Sequence, residues 1–226
     1  MAKSFATGQL PLHMPLEAAR AREDLLVTDC NRAAVAFIDS WPDWPTSIAI
    51  LAGPVGAGKT HLAHVWAVNS QARVLDPGEA PEAAGVEQGK CFLVENVART
   101  PLDEEWLFHL INTARAHSGS LLLTSRHWPG DWGITLPDLA SRLKTAHLIE
   151  LGEPDDDLLG GVMAKLFSDR QMLVDPAVVD YLVVRMERSL ASAQWIVDSL
   201  DTMSLATKRA VTRAMAAEVL QEAGGE

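Results

Sequence analysis

Short apolar runs alternate with amphipathic stretches over the first two thirds of the chain. The apolar runs predict five strands, which are the run that begins at Ile48 and the segments Arg73–Asp76, Cys91–Val94, Ser120–Ser125 and Ala146–Leu151. Helical spacing of apolar residues predicts the intervening helices, at Asn31–Trp41, Thr60–Asn69, Asp103–His117 and a short one containing Leu136–Leu143. Strands that are apolar almost throughout, each followed by a helix, are typical of a parallel sheet covered on both faces. The first prediction is therefore an α/β fold with a five-stranded parallel sheet flanked by helices.

The pattern becomes wholly helical from Pro154 onward. Helices are predicted at Asp155–Gln171, Pro176–Glu187, Ser189–Met203 and Thr207–Ala223. Asp175 and Ser189 are candidate N-caps, and Pro154 and Pro176 suit first-turn positions. We therefore divide the chain into an extended tail over 1–16, an α/β subdomain over 17–152 and an α-helical subdomain over 153–226.

A glycine-rich loop lies between the first predicted strand and its helix. Its sequence matches G-x-x-x-x-G-K-[ST], and the residues predicted to bind a nucleotide are Gly53, Pro54, Val55, Gly56, Ala57, Gly58, Lys59, Thr60 and His61. Such a loop can wrap its backbone N–H groups around phosphates, Lys59 adds a positive charge, and the Thr60 hydroxyl can ligate Mg²⁺. The start of the following helix favours the same anion. The alternative is a glycine-rich turn that binds nothing.

Two further strand ends carry polar residues that suit the same site. Glu95 follows the apolar run Cys91–Val94, where an acid can join Thr60 in holding Mg²⁺. Thr124 belongs to the polar end, Thr124-Ser125, of the next strand and is expected to face the γ-phosphate side. Ligands of parallel sheets bind beyond the carboxyl ends of the strands. The loop, Glu95 and Thr124 are therefore predicted to meet at one edge, although Glu95 could also be an ordinary acid at a strand end.

Composition narrows the function classes. The chain has 226 residues, of which 48% are apolar and 22% charged, and a formal net charge of −11, which argues against a nucleic-acid groove spread over the whole surface. The two cysteines, Cys30 and Cys91, are expected to be unpaired residues of a reducing compartment. No apolar run approaches the roughly 18 residues of a membrane span, and no signal peptide is apparent. These features predict a cytoplasmic protein without membrane contact.

The N-terminal tail carries apolar residues that no helix pattern explains. The residues Gln9, Leu10, Pro11, Leu12 and Met14 could anchor an extended peptide in a hydrophobic groove of a partner. A disordered leader is the alternative, because chain termini are commonly disordered.

The order of motifs resembles the AAA+ domain of the replication initiator DnaA. The motifs are GPVGAGKTHLAH, LVEN, LLLTSRHWP and LPDLASRL, followed by the helical end, and the resemblance runs from about Glu23 to the C-terminus. In DnaA the chain continues into a helix-turn-helix module that binds DNA, whereas here the helix Thr207–Ala223 is the last element, so no dedicated DNA-binding domain is expected. A DnaA-type body with a QLPL-type tail is similar to the Hda family, whose members inactivate DnaA.

The resemblance implies specific roles for several residues. The tail residues Gln9 to Met14 correspond to the peptide that binds the sliding clamp, the beta subunit of DNA polymerase. Arg142, in ASRL, corresponds to an arginine finger that acts in trans on ATP bound to DnaA. The pair Glu95-Asn96 is similar to the family pattern, although Glu stands where Asp is usual. The helical subdomain corresponds to the lid, but its segment Ser189–Trp195 lacks the arginine that DnaA-type lids contribute to the nucleotide.

Three hypotheses follow from this resemblance. The leading one is an ADP-binding regulator that docks on the clamp and stimulates ATP hydrolysis by DnaA, with weak or no ATPase activity of its own. The second is a self-contained ATPase of the DnaA or helicase-loader type, and the third is an adaptor for which the nucleotide is only a folding ligand. The sequence alone leaves four questions open. It does not decide between bound ADP and ATP, or whether the protein associates into a homodimer or larger oligomer. It also leaves open whether Arg142 instead forms a surface ion pair, and whether Arg188 replaces the missing lid arginine.

Overall fold

Five parallel strands form the centre of the molecule. The structure is a computed structural model that describes residues 22, 25–77, 91–98 and 102–223. The strands are β1 (Ile48–Ala52), β2 (Arg73–Leu75), β3 (Phe92–Val94), β4 (Leu121–Ser125) and β5 (His147–Glu150), in the order β2-β3-β4-β1-β5. All pairings are parallel. The predicted fold class is confirmed, and the carboxyl ends of all five strands meet at one edge.

Helices cover both faces of the sheet. They are α1 (Arg32–Asp39), α2 (Lys59–Ser70), α3 (Glu104–Ala116) and α4 (Pro137–Leu143). In β1 the side chains of Ala49 and Leu51 join the core under α1 and α2, while those of Ile48 and Ile50 join the core under α3 and α4. All five residues of β1 are buried, because a strand between two helical layers has no face left for solvent.

Four further helices pack around a core of their own. They are α5 (Asp156–Asp169), α6 (Pro176–Val183), α7 (Leu190–Thr207) and α8 (Arg213–Ala223). Their buried residues form a cluster that shares no member with the two cores of the sheet. As predicted, Asp175 and Ser189 cap α6 and α7 with their side chains, and Pro176 is the first residue of α6. The division of the chain at 152/153 stays a prediction.

Some predicted helix ends were wrong. In the helical subdomain, α7 continues past the predicted end at Met203 to Thr207, and α8 begins at Arg213 instead of Thr207. Lys208 adopts a left-handed conformation with φ of 54°, which stops α7, and the Thr212 hydroxyl accepts a hydrogen bond from the Met215 N–H at the start of α8. Pro154 precedes α5 rather than entering it, because Asp155 is the N-cap.

Candidate functional site

The glycine-rich loop joins β1 to α2 at the carboxyl edge of the sheet. Gly56 and Gly58 have φ of 79° and 96°, which side chains rarely tolerate, so the loop conformation requires glycine at both positions. Gly58 is the N-cap of α2 and offers no side-chain acceptor to the first amides of the helix. Pro54, Val55 and Thr60 are exposed, Ala57 is buried, and His61 lies partly buried in the first turn of α2. The loop therefore presents unsatisfied backbone donors, as an anion-binding cradle does.

Lys59 brings a positive charge into this loop. Its side chain is only 8% exposed, and its Nζ donates to the carbonyl oxygens of Gly53, at 2.7 Å, and Pro54, at 2.6 Å. Burial, together with the nearby charge of Arg126, lowers the pKa of Lys59 below its usual value. Within the described residues the ammonium has no carboxylate partner, so a bound anion would supply its missing countercharge.

Glu95 follows β3 and approaches the side of α2. Its Oε2 lies 3.4 Å from His64 Nε2, while its Oε1 is buried and has no hydrogen-bond partner among the residues described. A buried carboxylate oxygen without a donor is unfavourable, and a cation would satisfy it. The residues thus fit Mg²⁺, with the Thr60 hydroxyl and Glu95 as the groups that would hold it when phosphates are bound.

Thr124 connects the turn after β3 to β4. The side chain is 1% exposed, its hydroxyl oxygen accepts from the Asn96 N–H at 2.9 Å, and its carbonyl oxygen accepts from the Val97 N–H at 2.9 Å. These two bonds fix the backbone that immediately follows Glu95. The loop, Glu95 and Thr124, predicted from three separate strand ends, therefore lie at the same edge of the sheet.

Arg142 lies apart from the loop, in the last turn of α4. Its side chain is exposed, and its guanidinium makes no hydrogen bond or ion pair with any part of the chain that the structure describes. A surface ion pair, which was the alternative, is therefore not observed. Arg188 is engaged instead, because its Nη1 donates to Asp156 Oδ1 at 2.6 Å.

The first residues of α7 pack directly on the glycine-rich loop. The Leu190 N–H donates to the Gly56 carbonyl oxygen at 2.9 Å, and a Cβ added to Gly56 would lie 2.0 Å from Ser189 Oγ. Sequence reasoning missed this contact because no local signal encodes it. His64 and Arg126 were not predicted as site residues either, although the sequence holds a signal for each. His64 lies four residues after Thr60, which puts both on one helix face, and Arg126 directly follows β4.

The tail residues 9–14 lie outside the described residues, as does most of the connection over 77–90. Within the described ranges, no helix is long and apolar enough to cross a membrane, and no group of three or more His, Cys, Asp or Glu is arranged to hold a metal ion.

The fold is similar to those of known AAA+ proteins. Domain III of the replication initiation protein DnaA from Thermotoga maritima matches with a TM-score of 0.73 and 17% identity, over 92% of this chain and 98% of that one. The Holliday junction branch migration motor RuvB of Thermotoga maritima matches with a TM-score of 0.71 and 16% identity, over 89% and 71%. DnaA bound to AMPPCP and single-stranded DNA matches with a TM-score of 0.65 and 18% identity, over 83% and 66%.

The sequence is also similar to one known protein and to one family model. An uncharacterized protein of Haemophilus influenzae is 25% identical over 174 residues, which are 71% of this chain and 75% of that protein. The family model of the Hda lid domain matches residues 162–220, which cover most of α5 and continue into α8. The C-terminal helices are therefore similar to the Hda lid domain over residues 162–220, and the chain shares the fold of DnaA domain III.

Proposed function

We propose that this chain is an ADP-binding AAA+ regulator of replication initiation that docks on the sliding clamp and stimulates ATP hydrolysis by DnaA, which prevents re-initiation. The observation that carries the proposal is the exposed Arg142 guanidinium, which has no partner among the described residues. A finger that acts in trans must be free of contacts within its own chain.

The glycine-rich loop would hold the nucleotide. Its backbone amides and the start of α2 receive the phosphates, and Lys59 exchanges its carbonyl partners for phosphate oxygens. Glu95 and Thr60 would hold Mg²⁺, which neutralises phosphate charge when bound. One fold relative, DnaA, has been solved with the nucleotide analogue AMPPCP, which supports an adenine nucleotide here.

Arg142 would act on the triphosphate of DnaA. A guanidinium donates several hydrogen bonds in one plane and stays charged at any physiological pH, so it can stabilise charge that spreads over the phosphate oxygens in the transition state. Arginine fingers of this kind raise hydrolysis rates by roughly 10³ to 10⁵. Intrinsic hydrolysis by this chain is expected to be weak, because Arg188 is paired with Asp156 and the start of α7 offers no arginine.

The clamp contact is proposed from sequence alone. Gln9, Leu10, Pro11, Leu12 and Met14 form the peptide that would enter a hydrophobic groove of the clamp.

The deciding experiment measures ATP turnover by DnaA in the presence of clamp, DNA and this protein. The parent is expected to accelerate turnover, and Arg142→Ala to lose that acceleration while it keeps its ADP affinity and unfolding temperature. The double change of Gln9→Ala and Leu10→Ala should abolish clamp binding without changing ADP affinity. An Arg142→Ala protein that stimulates as well as the parent would refute the mechanism and favour a simple adaptor.

A self-contained ATPase is the second candidate. The observation in its favour is that Lys59, Glu95 and Thr124 lie at one edge of the sheet with Thr60 in the adjoining helix turn. Robust ATP turnover by the protein alone, together with assembly into a ring or filament, would select it. The mass of the native particle and the nucleotide that copurifies with it decide between the two candidates.

A further inference from the structure

Arg126 lies next to the start of the glycine-rich loop. It is the first residue after β4, whose last residue, Ser125, pairs with Ala52 of β1. The Ser125 carbonyl oxygen also accepts a hydrogen bond from the Gly53 N–H at 3.3 Å. The pairing of β4 with β1 therefore fixes Arg126 beside Gly53, the first residue of the loop.

Arg126 also lines a pocket with this loop. The pocket has a volume of about 480 Å³, and its walls include Gly53, Pro54, Val55, Arg126, Trp128 and Glu150. Arg126 is exposed, and its guanidinium forms no hydrogen bond or ion pair with any residue in the described ranges. The group is therefore available to a ligand that extends from the loop into the pocket.

Two cations, Arg126 and Lys59, lie around this pocket against one acid in its wall, Glu150, which forms no ion pair with either of them among the described residues. Lys59 is the cation of the same loop, and its Nζ donates to the carbonyl oxygens of Gly53 and Pro54, both of which line the pocket with Arg126. Neither Lys59 nor Arg126 has a carboxylate partner among the described residues. Two neighbouring cations without a counter-ion repel each other, and a bound polyphosphate would convert that repulsion into attraction to a shared partner.

We propose that Arg126 is a second phosphate-binding cation of this site, which contacts the phosphate chain of a nucleoside di- or triphosphate alongside Lys59. The proposal rests on nucleotide binding by the glycine-rich loop. The planar guanidinium can donate two parallel hydrogen bonds to one phosphate, which the point charge of a lysine cannot do. Arg126 thus supplies, from the end of β4, a positive charge that the start of α7 lacks.

The test compares Arg126→Ala, Arg126→Lys and Arg115→Ala with the parent. Arg115 is the matched control, because it is an exposed arginine in the last turn of α3, at the opposite edge of the sheet, and it has no partner within the described residues. The dissociation constants for Mg-ADP and Mg-ATP are measured by titration calorimetry. Arg126→Ala is expected to bind both nucleotides at least about ten-fold more weakly, Arg126→Lys to recover part of the loss, and Arg115→Ala to match the parent.

Thermal unfolding without nucleotide separates this role from a structural one. Arg126→Ala removes a repulsion with Lys59, so its unfolding temperature should equal or exceed that of the parent, whereas loss of a structural contact would lower it. Unchanged affinity in Arg126→Ala, with affinity lost in Lys59→Ala, would overturn the role of Arg126 and leave nucleotide binding intact. A parent protein that binds neither nucleotide would instead refute the proposed function itself.

Discussion

Gly56 is constrained both by its backbone conformation and by its close contact with α7. Its φ of 79° suits glycine, and the space where a side chain would lie is already filled by Ser189 at the start of α7. The loop that is proposed to hold phosphates is therefore shaped partly by the helical subdomain, through a residue whose only side-chain atom is hydrogen.

Replacement of Gly56 by alanine is expected to destabilise the protein and weaken ADP binding. The left-handed backbone should cost about 1–2 kcal/mol, and the clash with Ser189 should add to it because the start of α7 must move. Urea denaturation and ADP titration provide the measurements. Gly133→Ala is the matched control, since Gly133 has φ of 69° but nothing within 4 Å of an added Cβ. Equal losses of stability in the two variants would mean that the contact with α7 contributes nothing.

At the scale of elements, a side chain of α3 fixes the start of α4 by hydrogen bonds. The carboxylate of Glu104, in the first turn of α3, accepts hydrogen bonds from the Thr135 N–H at 3.0 Å, the Thr135 hydroxyl at 2.9 Å and the Leu136 N–H at 2.7 Å. Leu136 is the N-cap of α4, whose last turn carries Arg142. The backbone hydrogen bonds from Leu136 and then Thr135 lower the pKa of Glu104.

This arrangement predicts a stability difference that depends on pH. Because the folded-state pKa of Glu104 is lowered, its contribution is present above the unfolded-state pKa of about 4.5 and is lost as the pH falls through the folded-state value. Glu104→Gln should therefore unfold at a lower temperature than the parent at pH 7, and the gap should close in acid. Glu105→Gln, which changes an exposed neighbour without a described partner, should match the parent at both pH values. A gap that persists unchanged in acid would contradict the role of the Glu104 charge.

At the scale of the whole molecule, the sheet and the helical subdomain meet at the glycine-rich loop. The Leu190 N–H bonds to the Gly56 carbonyl oxygen, and the Cys30 N–H bonds to Asp155 Oδ2 at 3.2 Å. A nucleotide held by the loop would therefore lie where the two parts of the molecule contact each other.

Mg-ADP is accordingly expected to stabilise the molecule as a single unit. A ligand that binds only the folded state at 100 times its dissociation constant adds about 2.7 kcal/mol to the free energy of unfolding. Calorimetry should show one transition that moves to higher temperature with ADP in the parent and does not move in Lys59→Ala. Two separate transitions, of which the one from the helical subdomain does not shift with ADP, would show that the contact at Gly56 does not couple this subdomain to the sheet.

The sequence by itself determined the elements and the glycine-rich loop. Apolar runs such as the one at Ile48 and caps such as Ser189 are local signals, because strand burial and helix capping depend on residues a few positions apart. The sheet class followed from the same local pattern. Helix ends such as Thr207 were missed because termination at Lys208 depends on a left-handed residue that carries no glycine signal.

Only the tertiary structure decided which distant residues share the site. The strand order brings Arg126 to Gly53, the packing of β3 on α2 brings Glu95 to His64, and the folding back of α7 brings Ser189 to Gly56. It also paired Arg188 with Asp156 while it left Arg142 exposed. These partners lie tens to more than a hundred positions apart, and a contact of that range depends on how whole elements pack, which no periodicity in a single sequence encodes.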